Sequence, residues 1–260
     1  MSEESFYLTL LSNSSMTYFS ENTTTNFSTK LPKTIKLDGV WVVGVVEFQY
    51  PCSMYTVQES QNVVHIAKTT KIVGIENESP SSVLYKTRIP ATNYENTNQI
   101  LSALNKNPML MDTINFRYDD VSKLVLRKIL NNNVTRITLS PTLALQLGFA
   151  PKTNFVTTAF GKYPVNLHLG LPSQLFVYSD IISPQIVGDV MSSLLRIIPL
   201  DPTKYIYGSY KMHIFSPAHY IPVMRREFDT IEIDIRTNTG EKIPFQFGIS
   251  CVKLHFKRLQ

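Results

Sequence analysis

The sequence predicts an all-β protein with a small mixed α/β unit inserted into it. Apolar and polar residues alternate at both ends of the 260-residue chain, whereas helical spacing of apolar residues is confined to its middle. The clearest alternation places Ile231, Ile233 and Ile235 on one face of a strand and charged residues on the other. Because 43% of the residues are apolar, the chain can bury a sizeable core.

The N-terminal part contains three predicted strands. Alternating residues at 6–10 predict a short strand with one buried face, and a polar loop at 12–25 follows. A second short strand is expected at 27–31, ending at Pro32. The near-continuous apolar run at 40–50 is typical of a strand that is covered on both faces.

The middle of the chain mixes helix and strand signals. Apolar residues from Tyr94 to Leu104 suit one helix face, with Asn93 as the expected N-cap and residues 105–108 as the stop. Ser140 followed by proline predicts a second short helix at 142–147. A turn is expected at residues 77–82. Strands are expected at residues 63–67, 71–75, 83–89, 114–118, 124–129 and 134–139.

The C-terminal part returns to strands. Residues 174–200 hold two apolar runs around a polar middle, which predicts strand, long connection, strand; neither run is long enough to span a bilayer. Further strands are expected at residues 207–215, around Ile233 and around Leu254, where alternation again separates apolar from charged side chains.

Eight strands lie outside the middle unit, three before it and five after it. Eight antiparallel strands in two facing sheets is the arrangement of a single jelly-roll β-sandwich, although the count also fits other sandwiches. We therefore expect residues 1–51 and 171–260 to form a jelly-roll domain and residues 52–170 to form the inserted domain.

Several segments carry a resemblance to a known family. The runs VYSDI, IVGD and LLRII at 177–198 resemble the minor capsid (penton) proteins of Polinton, or Maverick, elements and of their adintovirus relatives. The opening segments at 6–32 and 39–51, the run LSPTLALQLGF at 139–149 and the closing segment at 219–256 are similar to that family too. Together they cover most of the chain.

The resemblance implies a structural role and a set of partners. Pentons of this kind are single jelly rolls, and related virophage vertex proteins carry an inserted domain. The implied function is a penton whose five copies form the five-fold vertices of an icosahedral virion otherwise built from a double jelly-roll major capsid protein. The implied partners are four further copies of this chain and that major capsid protein.

The net charge and the N-terminal residues indicate where the protein is made and located. The formal net charge is +5, but the basic residues are scattered, which favours solvated surface and leaves open a weak contact with packaged DNA. Glu3 and Glu4 stand where a signal peptide carries positive charge, so we expect synthesis without a secretory signal, no membrane insertion and a final location in the virion. Cys52 and Cys251 are then expected to be reduced, buried thiols.

The sequence offers no catalytic, cofactor-binding or metal-binding constellation. The H-x-H pair of metal-binding cupins does not occur, and phosphate-binding glycine loops do not occur either. Asp119 and Asp120 are adjacent and are better explained by a turn than by an acid-base pair. We therefore predict that the protein is not an enzyme. The alternative is a jelly-roll binding module that recognises carbohydrate or a cell-surface receptor.

Three segments are candidate contact surfaces. Tyr205, Tyr207 and Tyr210 lie beside lysines, a pattern that suits either a stacking platform for single-stranded nucleic acid or, more readily, a protein interface. The edges of the sandwich and the long proline-containing loops at 180–189 and 217–226 are the surfaces we expect to mediate assembly.

Overall fold

The protein divides into two compact units. The computed structural model describes residues 5–70, 81–131 and 134–259. The first unit comprises Met1–Met54 and Pro172–Gln260, and the second comprises Tyr55–Leu171.

The first unit is built from strands. Its N-terminal strands are β1 (Ser5–Leu11), β2 (Asn26–Lys36) and β3 (Trp41–Pro51). Its later strands are β10 (Gln174–Ser179), β11 (Gln185–Val187), β12 (Val190–Ser192), β13 (Leu194–Pro199), β14 (Tyr210–Ile214), β15 (Ile221–Pro222), β16 (Glu227–Arg236) and β17 (Cys251–Arg258).

The second unit combines strands with two helices. The strands are β4 (Val63–Thr70), β5 (Ser81–Arg88), β6 (Ile114–Asp119), β7 (Leu124–Ile129), β8 (Val134–Leu139) and β9 (Ala159–Phe160). The helices are α1 (Thr97–Asn105) and α2 (Pro141–Gln146). The expected strand at 71–75 and most of the expected turn at 77–82 lie outside the described residues.

Two antiparallel sheets face each other in the first unit. One has the order β1-β17-β3-β14, with β15 also paired to β3, and the other has the order β13-β10-β16-β2. Four long strands in each sheet make the eight strands of the predicted jelly roll, so the fold class is confirmed.

The jelly-roll core follows from alternation along the strands. Ile231, Ile233 and Ile235 of β16 are fully buried, and the predicted inward face of β17 is buried in the same way. Phe6 of β1 stacks on Phe256 of β17 with ring centroids 4.7 Å apart, and its centroid lies 5.5 Å from that of Trp41. Phe228 of β16, in the facing sheet, stacks on the same Phe256 ring with centroids 5.9 Å apart, so the apolar faces that the sequence indicates join the two sheets.

Strand β3 is covered on both faces in its first half, as predicted. Val43 and Val45 are fully buried, and the segment leading into β15 lies over the other face. A Cβ on Gly44 would stand 2.6 Å from the carbonyl oxygen of His219. Glycine is required here because the covering backbone approaches β3 so closely.

Strand β2 corrects one expectation. It does not end at Pro32 but continues to Lys36, pairing again with β16 at Glu227 and Phe228. Proline is tolerated because β2 is the edge strand of its sheet and the register with β16 shifts at this point, so the missing N–H is not needed.

The second unit has its own apolar core. Two three-stranded sheets, β5-β4-β8 and β6-β7-β9, pack with the helices around fully buried residues such as Ile66, Leu104 and Phe155. The Arg127 side chain crosses this core, with its guanidinium carbon 4.5 Å from the Phe155 ring centroid and its Nε donating to the carbonyl of Thr157 at 3.2 Å. Burial lowers the pKa of Arg127.

Helix α1 begins three residues later than expected. Its N-cap is Asn96, not Asn93, and the Asn96 side chain accepts a hydrogen bond from the N–H of Gln99 at 3.1 Å. Gln99 accepts in turn from the N–H of Glu95 at 2.9 Å. The Asn96 to Gln99 spacing is close to a capping box, and it is the sequence signal that identifies the true start.

Candidate assembly surfaces

The jelly roll has two lateral sides with different strands. On one side the edge strands are β1 and β2; on the other they are β14 and β13. Arg196 of β13 lies over the ring of Phe215, directly after β14, at 4.2 Å from its centroid, which joins the two sheets on that side. Surfaces on opposite sides of a subunit are what a head-to-tail contact requires.

An exposed apolar hairpin stands on the β13 side. Strands β11 and β12 pair with Ile186 opposite Met191, and Gly188 and Asp189 form the two-residue turn with Gly188 at φ +65°. Ile186 is 80% exposed and Met191 is 65% exposed. We call Gln185–Ser192 the apolar hairpin. Large apolar side chains exposed together are typical of a surface that contacts a partner.

The root of the apolar hairpin is fixed to the sandwich. Ile182 forms a bridge with Val223, and the N–H of Met224 donates to the carbonyl of Ile181 at 2.8 Å. The N–H of Val223 donates in turn to the carbonyl of Trp41, at the start of β3, at 2.9 Å. These bonds extend the β3 sheet by two short segments and hold the apolar hairpin in a defined place.

Strand β14 adds apolar surface on the same side. Tyr210, Met212 and Ile214 point outward and are 50%, 54% and 68% exposed. In the described part of the chain, β14 pairs with β3 alone, so its other edge has no paired strand. Apolar edge strands are normally blocked or used for contact, so β14 is a candidate contact surface.

A groove lies on the opposite side of the jelly roll. It has a volume of about 520 Å³, and we call it the β1–β2 groove. Its wall is apolar and its rim is mostly basic. The apolar members are Phe6, Leu8, Ile35, Leu37 and Trp41, and the charged members are Lys33, Lys36, Arg258 and Asp38.

The rim charges of the groove differ in their partners. Lys36 pairs with Glu227 at 3.1 Å, and Arg258 pairs with Asp38 at 3.4 Å. Within the described ranges Lys33 forms no ion pair. The groove therefore combines an apolar wall with a lysine that is free to meet an acidic group.

A second, polar cleft lies between the sheet surface of β10 and β16 and the segment that follows β12. It has a volume of about 420 Å³, and its lining residues are Tyr178, Ser179, Asp180, Ser192, Ser193, Glu232, Asp234, Arg236 and Gly240. Asp180 pairs with Arg225 at 2.9 Å and accepts from the N–H of Glu232 at 2.9 Å, while burial raises its pKa. Asp234 pairs with Arg236 at 2.6 Å. Such a surface offers acceptors and an aromatic ring to a hydroxyl-rich ligand.

The predicted contact loops have different structures. Residues 180–189 contain the root and first strand of the apolar hairpin. Residues 217–226 include β15, and Tyr220 donates or accepts a 2.7 Å hydrogen bond with Nδ1 of His255. This second loop therefore covers the sheet instead of standing free, although Met224 is 55% exposed.

The three tyrosines near residue 207 do not form a flat stacking platform. The Tyr205 hydroxyl accepts from the N–H of Met54 at 2.6 Å and donates to its carbonyl at 2.9 Å. Tyr207 meets the Phe247 ring edge-on at 5.7 Å between centroids. Two of the rings are thus used to hold the fold, and Tyr210 belongs to the β14 surface.

Asp119 and the two cysteines, which are candidate reactive residues, lie in turns or in packed parts of the fold. The Asp119 carboxylate accepts from the N–H groups of Val121 and Ser122, both at 3.3 Å, so the turn interpretation is confirmed. Across the described ranges, no three His, Cys, Asp or Glu side chains are grouped to hold a metal ion. Cys52 is buried and Cys251 half-buried, and both are free. Of the helices in those ranges, none has the length and apolar character to cross a membrane.

Comparison with known proteins defines the fold more closely. No protein-family model matches the sequence, and no curated protein matches it. Among solved structures, the chain is similar to the mavirus penton protein, at 12% identity and a TM-score of 0.55. The match covers 98% of this chain and 100% of that one, so the jelly roll and the inserted unit together are shared with a viral penton fold.

Proposed function

We propose that the protein is a penton, a structural capsid protein whose five copies close each five-fold vertex of an icosahedral virion. The observation that carries the proposal is the fold shared over the whole chain with the mavirus penton protein. The resemblance of the 177–198 and 219–256 segments to Polinton pentons supports the same role from the sequence.

The surfaces of the jelly roll are consistent with this role. A cyclic ring needs two different surfaces on each subunit, and rotation closes the ring when they meet. The apolar hairpin and β14 lie on one lateral side, and the β1–β2 groove lies on the other. The hairpin side exposes large apolar side chains, including Ile186 and Ile214, and the groove side offers a depression with an apolar wall.

The proposed partners follow from the role. A vertex protein contacts the double jelly-roll major capsid protein around it and is located in the virion. The net charge of +5 also permits a weak contact with packaged DNA. In this role the protein is structural and acts through its binding surfaces.

Solution mass tests the proposal directly. Analytical ultracentrifugation over a wide range of protein and salt concentrations is expected to give a species close to five times the chain mass of 29.6 kDa. A stable two-fold dimer would contradict a vertex role, since an isologous dimer cannot form a five-membered ring. If the free protein is a monomer, co-expression with the major capsid protein and electron microscopy of the five-fold positions decides the question.

The polar cleft supports a second function, recognition of carbohydrate. Its ion-paired carboxylates and Tyr178 resemble the acceptors and aromatic surface that sugar hydroxyls and rings require. A glycan array with the purified protein tests this, with Arg236→Ala as the cleft variant. Binding that is unaffected by Arg236→Ala would place the glycan elsewhere.

A further inference from the structure

We infer that the apolar hairpin of one copy inserts into the β1–β2 groove of the next copy, and that this contact is the one that closes the ring. The inference rests on the proposed function and assigns its self-contact to two defined surfaces. The occupant of the groove is a second copy of this chain.

The apolar hairpin and the groove lie on opposite sides of one subunit. Counting across the sheet from the groove, the order at this end is β1, β17, β3, β15 and then the 181–183 segment at the hairpin root. Four strand spacings of about 4.8 Å separate the first from the last, or about 19 Å across the subunit. The apolar hairpin therefore cannot be the partner of its own groove without unfolding the sheet between them.

The groove and the hairpin root lie at the same end of the sandwich. Strand β2 ends beside the start of β16, where Lys36 is opposite Glu227, and the groove lies at this end of the sandwich. Strand β10 runs antiparallel to β16 and ends at Ser179 towards the same end, directly before the hairpin root. We place the ring axis along the strands as part of the inference. Rotation about that axis does not move a surface along it, so the two contacting surfaces must lie at the same level along the strands. The groove and the root of the apolar hairpin both lie where β3 begins.

Shape and polarity agree. Ile186 and Met191 lie opposite each other on paired strands and present one apolar pair. The groove wall includes Phe6, Leu8 and Ile35, which are only half-buried and leave apolar surface to be covered. A protruding apolar pair and a concave apolar wall bury each other's surface, which is the favourable term in most protein association.

Charge gives the orientation. Asp189 is at the tip of the apolar hairpin, and it is the only ionised residue between Gln185 and Ser192. Lys33 at the groove rim has no ion-pair partner within the described ranges, and neither has Asp189. Bringing Asp189 to Lys33 pairs two unmatched charges of opposite sign and fixes the direction of insertion.

Cysteine trapping tests the contact itself. One protein carries Ile186→Cys and another carries Thr34→Cys, both with Cys251→Ser so that the half-buried native thiol does not compete. Mixed and oxidised mildly, the two are expected to form a disulfide-linked heterodimer, and either protein alone is expected to form none of that species. Failure of the mixture to cross-link at any concentration would overturn the inference.

Ring formation by variants tests whether this contact closes the ring. Ile186→Asp is expected to weaken ring formation at least about a hundredfold, as loss of an interface hot spot does. Ile206→Asp is the matched control, because Ile206 is 70% exposed but precedes β14, at the opposite end of the sandwich, and its ring should persist. A ring that persists in Ile186→Asp overturns the inference and leaves the penton proposal intact.

Charge exchange separates a contact from a folding defect. Asp189→Lys and Lys33→Glu are each expected to weaken assembly about tenfold, and the double variant is expected to recover most of the loss. If the double variant loses as much assembly free energy as the two single variants together, the two residues do not contact each other. If the wild-type protein forms a ring of five but trapping fails, the penton proposal stands and the inference is overturned. A stable two-fold dimer overturns both, because surfaces on opposite sides of a subunit cannot form an isologous contact.

Discussion

The two units of the molecule are assembled from the chain in different ways. The second unit is one continuous segment, Tyr55–Leu171, whereas the jelly roll needs strands from both sides of it. Strand β1 pairs with β17, so Ser5 is opposite Lys257, and β2 pairs with β16. The inserted unit therefore lengthens the loops that must close before the jelly-roll strands can pair. Long loops slow folding more than they reduce stability.

Separating the units produces the largest expected effect. A protein consisting of residues 55–171 should unfold cooperatively by itself, since its core is contained in one segment. Residues 1–54 alone should show no cooperative transition, because β1 and β2 lose all of their partner strands. Circular dichroism during denaturation measures both. Cooperative unfolding of residues 1–54 would show that these strands do not need their C-terminal partner strands.

Removing the inserted unit is the complementary test. Replacing residues 56–168 with a short glycine and serine linker should leave a soluble, β-rich jelly roll with one transition. The expected reason is that the sheets of the first unit are paired among residues of that unit. Loss of all cooperative unfolding would place the domain boundary elsewhere.

Core truncation should affect only the unit that holds the residue. Ile233→Ala is expected to cost the jelly roll about 2 to 5 kcal/mol, because a fully buried side chain is lost and a cavity remains. Leu104→Ala should do the same to the second unit. Glu232→Ala, on the exposed face of β16, is the control and should change stability by less than about 1 kcal/mol. Two resolved transitions in urea report the two units.

Arg127 is a sharper probe of the second unit. Arg127→Ala should destabilise that unit by about 1 to 3 kcal/mol, because the stacking on Phe155 and the bond to the Thr157 carbonyl are lost from a site that is 8% exposed. Arg117→Ala on β6 is the control, since Arg117 is exposed on the same sheet. Equal effects would show that Arg127 adds nothing to the core.

Acid should weaken the jelly roll slightly before carboxylates titrate. Burial lowers the pKa of His213 and of His255, with Lys211 and Lys257 lowering them further. The unfolded chain therefore binds protons at these residues at a higher pH than the folded one, so stability falls as the pH drops from about 7 to about 5. His213→Gln combined with His255→Gln should flatten this slope, which urea titrations at several pH values measure.

Local patterns predicted much of the jelly roll. Alternation at Ile231, Ile233 and Ile235 predicted the buried face of β16, and the apolar run at 40–50 predicted a strand covered on both faces. Both signals report the burial of single side chains, which a short window of sequence contains. The same local reasoning erred at Pro32 and Asn93, where edge position and a competing cap, not the residue itself, decided the outcome.

The candidate contact surfaces are only partly visible in the sequence. The loop at 180–189 was expected to mediate assembly, but its Gly188 and Asp189 turn between apolar residues is a hairpin signal that defines the apolar hairpin more closely. The β1–β2 groove has no such signal. It is formed by β1, by the stretch from the end of β2 to Trp41 and by Arg258, which come from three separate parts of the chain.

The sequence by itself determined which side chains enter the core, where most strands lie and that the middle of the chain has a different period, because each of these depends on neighbouring residues. The tertiary structure alone decided that β2 passes Pro32, that the loops at 180–189 and 217–226 have different structures, and that an apolar hairpin and a groove lie on opposite sides of the jelly roll. These features depend on which strands become neighbours, and that is set by pairing between residues as far apart as Ser5 and Lys257.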